Sequence, residues 1–193
     1  QPVGAYLLIT LDSDSEDQLY TLLEQAAELV LDAGAMDVLV ADSPAKMRDA
    51  WAARSAFLEV IMEETKLLDE CDVVVPVTKI ASYLEFVNKT GEECGLVIRS
   101  FGHAGDGNLH IYECSNDLTE EEFKKRVDKF FDLIYKEASA QGGLVSGEHG
   151  IGSGKIQYLV ESIGETNMAL MEGIKRVFDP KMILNPGKVC YRL

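Results

Sequence analysis

The chain has 193 residues, 47% of them hydrophobic, with 18 basic against 33 acidic side chains and a formal charge of −15. That length and apolar content suffice for a buried core in one domain, or in a domain with appendages. The shortage of clustered Lys and Arg argues against nucleic acid as a partner, and no apolar run approaches the roughly 20 residues that span a bilayer.

In chain order, residues 5–11 (Ala-Tyr-Leu-Leu-Ile-Thr-Leu) read as a buried strand. Asp12 to Ser15 offer caps for an amphipathic helix with Leu19, Leu22, Leu23, Ala26, Ala27 and Val30 along one stripe, stopped by Gly34. Asp37 to Ala41 read as a second short strand, and Pro44 to about Leu68 as a helix carrying Trp51 and, three residues on, Arg54. Val73-Val74-Val75-Pro76 reads as a strand closed by proline, and Lys79 to Cys94 as a helix. Leu96 to Phe101 and Leu109 to Cys114 are expected as strands, and Thr119-x-x-Glu122 as a capping box opening a helix to about Gln141. A glycine-rich turn over 142–154 follows, then one or two helices over 155–178, ended by Asp179-Pro180, and a last turn at Asn185-Pro186-Gly187-Lys188.

This order of strands and helices predicts an α+β fold of the ferredoxin-like kind, with a mixed or antiparallel sheet, helices on one face and further helices at the C-terminus. No repeat or linker divides residues 1–193, which read as a single domain. The chain opens Gln1-Pro2-Val3-Gly4-Ala5, without an initiating Met or a signal-peptide pattern, and enters a strand almost at once. It therefore reads as part of something longer. Cys71, Cys94, Cys114 and Cys190 lie in or beside apolar segments without CxxC spacing. Buried free thiols of this kind point to the cytoplasm, or to the inner face of its membrane for a peripheral protein.

All three histidines fall in two glycine-rich segments, Gly102-His103-Ala104-Gly105-Asp106-Gly107-Asn108-Leu109-His110 and Ser146-Gly147-Glu148-His149-Gly150-Ile151-Gly152. A histidine kept for packing belongs in a periodic apolar segment; here glycine bends the backbone so that imidazoles and a carboxylate can converge. If the flanking strands pair as a hairpin, His103 and His110 can stand opposite one another, with Cβ atoms about 4.5–5.5 Å apart. They could then share a divalent cation, with Glu148 adding an oxygen. A His₂-carboxylate set with open positions suits catalysis and leaves zinc, iron and manganese all open. His149 follows Glu148 in a tight turn and suits a general base, because imidazole titrates near neutrality.

Asp106 suits a turn as well as a site. Asn108, between turn and strand beside His110, suits a hydrogen bond to substrate or cofactor. Arg54, in the company of Trp51, Phe57 and Leu58, either snorkels or reaches a carboxylate with its planar fork. Gly150-x-Gly152-x-Gly154-Lys155 only faintly suggests a phosphate loop: it lacks the following Ser or Thr and the upstream glycine. Residues 142–154 are expected to be partly disordered when isolated, since glycine-rich loops have little packing of their own.

Three motifs, G-H-x-G-D-G-N-L-H at 102–110, S-G-E-H-G-I-G-x-x-K at 146–155 and F-D-P-x-x-I-L-N-P-G-K at 178–188, occur in one order and carry a resemblance that covers nearly the whole chain. Together they resemble the C-terminal domain of the FAD-linked 2-hydroxyacid dehydrogenases. That group includes D-lactate dehydrogenases, the glycolate oxidase flavin subunit and D-2-hydroxyglutarate dehydrogenase. The resemblance implies a ferredoxin-like cap over the flavin, the substrate-side half of a longer flavoenzyme whose FAD-binding domain lies outside this chain. By itself such a half is expected to be inactive.

The resemblance also implies roles. His103, His110 and Glu148 would ligate a divalent metal, and His149 would be the base. Arg54, in its W-x-x-R pattern, would bind the substrate carboxylate. Asn108 would lie near substrate or flavin, and Asn185 near the flavin. FAD would be held mainly by the other domain, and electrons would pass to a quinone, a cytochrome or an electron-transfer flavoprotein. Dicarboxylate-specific relatives carry a basic residue near the place of Glu70, in the acidic run Asp69-Glu70-Cys71-Asp72. This favours lactate or glycolate over 2-hydroxyglutarate. Competing readings are an oxidoreductase for a larger hydroxylated substrate, a metal-dependent hydrolase, and a metal-binding or subunit-interaction module without chemistry of its own.

Overall fold

A computed structural model describes residues 4–190. The chain forms two compact units, one up to Ala56 and one from Phe57 onward. The first holds helices α1 (Glu16–Asp32) and α2 (Pro44–Ser55). Ser15 caps α1 by accepting from the Gln18 N–H, and Ser43 caps α2 through the Lys46 N–H, with Pro44 in the first turn.

The strands expected at 5–11 and 37–41 do not form. Both segments pair with no neighbour, and Tyr6 and Leu39 are exposed where a buried strand would hide them. At the second, the Asp37 carboxylate takes the Val38 N–H at 2.8 Å, satisfying locally a donor that a ladder would use.

The second unit contains α3 (Phe57–Glu64), β1 (Leu67–Val74), α4 (Ile80–Cys94), β2 (Val97–His103), β3 (Asn108–Ser115), α5 (Glu120–Ala140) and α6 (Ile156–Phe178). The long helix expected over 44–68 is therefore three elements. It breaks at Ala56, and from Leu67 the alternation Asp69, Cys71, Val73 against Glu70, Asp72, Val74 imposes a two-residue period that only a strand satisfies. The strand expected at 73–76 is the end of β1. Thr119 caps α5 as expected, but Glu122 pairs with Arg126 one turn on. A break at Gly164, with φ 77° and ψ 165°, divides α6 into two helical stretches.

The sheet is antiparallel throughout, in the order β1-β3-β2. A single antiparallel bridge, Val74 to Leu144, lies at the outer edge of β1 after α5. One face is covered by α4 and α5: Cys71, Val73, Leu109 and Ile111 meet Tyr83, Val87, Val127, Phe130 and Ile134 in the core. The Tyr83 hydroxyl donates to the Ile134 carbonyl at 2.9 Å and locks the two helices together. Strand alternation sends Glu70, Asp72, Phe101, His103, Asn108, His110 and Tyr112 to the opposite face.

Candidate metal and acid-base site

The register places Phe101 opposite His110 and His103 opposite Asn108. His103 and His110 are thus diagonal neighbours, two residues off the direct pairing expected. They still share a face, and their rings lie 5.9 Å apart at 80°. His110 is buried on the central strand, while His103 is half-exposed at the edge.

The glycine turn after α5 brings the second motif onto this face. Asp72 is fully buried and its carboxylate gathers the turn. It accepts from the Ser146 hydroxyl at 2.7 Å and from the backbone N–H groups of Gly147 (3.0 Å), Glu148 (3.1 Å) and His149 (2.8 Å). Lys155 Nζ donates to the Asp72 carbonyl at 3.2 Å and stands 3.9 Å from its carboxylate. Burial alone would push the Asp72 carboxyl up; the donors from Ser146, His149, Gly147 and Glu148 outweigh it and bring it down to about 2. Gly147 is required by space, since a Cβ there would collide with the Asn108 side chain.

Held this way, Glu148 Oε1 lies 2.9 Å from His110 Nε2 and 3.6 Å from His103 Nε2. Tetrahedral zinc ligands about 2.0–2.1 Å from the ion are roughly 3.3 Å from each other, so the two separations bracket what such a site needs. The His103, His110 and Glu148 donor atoms lie within 4.8 Å of one another. The donor set and spacing therefore fit a divalent cation, and the half-exposure of His103 and Glu148 leaves a side open for another ligand.

His149 lies against His110, with ring centroids 4.8 Å apart at 30°. Its Nδ1 is 3.1 Å from Glu70 Oε1, and the Tyr112 hydroxyl donates to the same oxygen at 3.1 Å. Phe101 stacks on Tyr112 and tilts against His110, closing the floor of the cluster with Phe57 behind it. Asn108 is buried with Oδ1 unpartnered, an acceptor facing the same turn.

Of the residues expected from sequence, His103, His110, Glu148, His149 and Asn108 come together here. Asn185 lies in an exposed C-terminal turn at φ 46°. Arg54 belongs to the other unit, on α2. Sequence reading gave Tyr112 no role, named Asp72 and Glu70 only within an acidic run, and named Lys155 only within a glycine-rich motif. The two-residue period from His110 to Tyr112 and from Asp72 to Glu70 is the signal that would have placed the strand residues on the site's face.

Residues 1–189 match the family model described as FAD linked oxidases, C-terminal domain. A D-lactate dehydrogenase of Anaerostipes hadrus is 60% identical over 99% of this chain and 40% of its own length. A D-lactate dehydrogenase of Archaeoglobus fulgidus is 37% identical over 98% of this chain and 40% of its length. The glycolate oxidase subunit GlcD of Bacillus subtilis is 37% identical over 72% of this chain and 29% of its own. The chain thus spans about two fifths or less of these relatives. On a match that runs over nearly its whole length, the chain belongs to the C-terminal domain family of the FAD-linked oxidases.

Proposed function

We propose that this chain is the substrate-side domain of an FAD-dependent dehydrogenase that oxidises a small D-2-hydroxyacid, D-lactate or glycolate, to the 2-oxoacid. The observation that carries the reading is the convergence of two histidines, a carboxylate and a third histidine on one sheet face, in a family of flavin-linked oxidases. The succession β1-α4-β2-β3-α5, with the Leu144 bridge in the place of a fourth strand, supports the ferredoxin-like description. Because the family match runs across both units, we treat residues 1–193 as one functional domain.

In this reading His103, His110 and Glu148 would hold the divalent cation. When bound, it would supply Lewis acidity to the substrate hydroxyl, and FAD, carried mainly by the rest of the protein, would supply the hydride acceptor for C2. His149 takes the hydroxyl proton at Nε2, since its Nδ1 faces Glu70. Asn108 Oδ1 accepts a hydrogen bond from substrate or flavin. Arg54 is assigned the substrate carboxylate on its W-x-x-R pattern alone, and Asn185 the flavin on its motif alone. Glu70 adds negative charge beside the base, which disfavours a second substrate carboxylate and so a 2-hydroxyglutarate-like molecule.

The test is flavin bleaching in the full-length, flavin-loaded protein on mixing with D-lactate, glycolate or D-2-hydroxyglutarate, with and without chelator. Bleaching by a monocarboxylate, abolished by chelator and restored by zinc, iron or manganese, is the expected result. Bleaching indifferent to chelation rejects the metal assignment. No bleaching by any 2-hydroxyacid rejects the activity.

A further inference from the structure

We propose that Glu70 is a shared positioning residue, one carboxylate that fixes the ring orientation of both His110 and His149. The proposal rests on the reading of His110 as a ligand and His149 as the base. Glu70 Oε1 lies 3.1 Å from His149 Nδ1 and accepts the Tyr112 hydroxyl at 3.1 Å, and it stands 3.5 Å from His110 Nδ1, a buried nitrogen that makes no hydrogen bond. Both rings thus turn the same nitrogen toward one oxygen.

An imidazole that gives its Nε2 to a cation or to a substrate proton carries its own proton on Nδ1, and a carboxylate facing that nitrogen holds the ring in place. For His110 that Nε2 is the atom facing Glu148 at 2.9 Å. For His149 the ring geometry turns Nε2 away from Glu70. One anion therefore prepares a ligand and a base at once, and the Tyr112 hydroxyl stops it from swinging out of place.

Glu70, His110 and His149 also lie close enough to form a ligand set of their own. That set would have to use His110 through Nδ1, leaving Nε2 against Glu148. It would also use a carboxylate oxygen that already accepts the Tyr112 hydroxyl. Glu148 Oε1 faces only imidazole nitrogens, so the cation belongs with Glu148 and the orienting contact with Glu70.

The test uses the full-length, flavin-loaded protein with cobalt(II) as the bound metal. Cobalt affinity comes from chelator competition, coordination from the visible cobalt bands, and chemistry from the rate of flavin reduction by D-lactate. Glu70→Gln is expected to weaken cobalt binding by about 10–100-fold with unchanged band positions. It should slow reduction at saturating D-lactate by a similar factor with KM moved less than about threefold, and Glu70→Asp should recover part of both.

Cobalt bands that shift in Glu70→Gln would overturn the proposal by making Glu70 a ligand. Affinity and rate both within about threefold of wild type would overturn it by leaving Glu70 no role. Should Glu70→Gln not fold, Tyr112→Phe releases the carboxylate from its other side, and an unchanged cobalt affinity there counts against the proposal. A wild-type protein that no 2-hydroxyacid reduces refutes the functional reading alone, because cobalt affinity and spectrum still judge Glu70.

Discussion

Asp72 holds Glu148 and His149 in place by gripping the backbone of their turn with its carboxylate. Three successive N–H groups converging on an anion form a nest, here filled by the protein's own side chain. Asp72→Ala removes the acceptor those donors share and is expected to lower stability by about 1–3 kcal/mol, read from urea unfolding. The pH dependence has a definite sign. The folded carboxyl sits at about 2, below its ordinary range, so its stabilising contribution is fully present above about pH 4 and is lost as pH falls through about 2. The stability gap between wild type and Asp72→Asn should accordingly be flat from pH 5 to 8 and close in strong acid. Gly147→Ala, which forces a methyl into Asn108, should cost about 1–3 kcal/mol by overpacking and weaken metal binding along with it.

At the scale of elements, the helix-covered face of the sheet contains a buried acid. Glu113 lies on β3 among Cys71, Ile111 and the core aromatics, fully buried, with neither carboxylate oxygen hydrogen-bonded. Burial, then the nearby Asp69, push its carboxyl well above the ordinary range. A raised folded value means stability that is present below about pH 4.3 and is lost as pH rises through the folded value. Glu113→Gln should therefore melt higher than wild type at pH 8 and lose that advantage at pH 4, by calorimetry at both. The strands β2 and β3 were legible because each is a short apolar run beside a glycine turn, and the caps at Ser15 and Thr119 because a cap is a three-residue event. The strands expected at 5–11 and 37–41 failed because pairing depends on a partner that local sequence does not reveal. The histidine cluster was legible from its motifs, but the diagonal register was not, since a hairpin's parity fixes the face and not the offset. Asp72 stayed hidden because its partners lie 74 to 77 residues further along the chain.

For the whole molecule, no helix among the described residues is long and apolar enough to cross a membrane. The cation proposed for the cluster would tie β2, β3 and the 146–150 turn together through His103, His110 and Glu148. A ligand that binds only the folded state stabilises it by mass action, about 2.7 kcal/mol at a hundredfold excess over Kd. Zinc or manganese should therefore raise the melting temperature of the wild-type protein and leave that of His103→Ala nearly unmoved, in thermal scans with and without chelator. An equal rise in both would remove His103 from the ligand set.

The sheet order has a further consequence. β3 is bonded on both sides, whereas β2 is an edge strand bonded only to β3. Local opening follows the edge first. Deuterium should enter the amides of 97–103 long before those of 109–113. His103 would then leave while His110 stays seated beside Glu148, so the site comes apart in a fixed sequence. A cation bridging the two histidines would slow exchange most in the strand that was fastest without it.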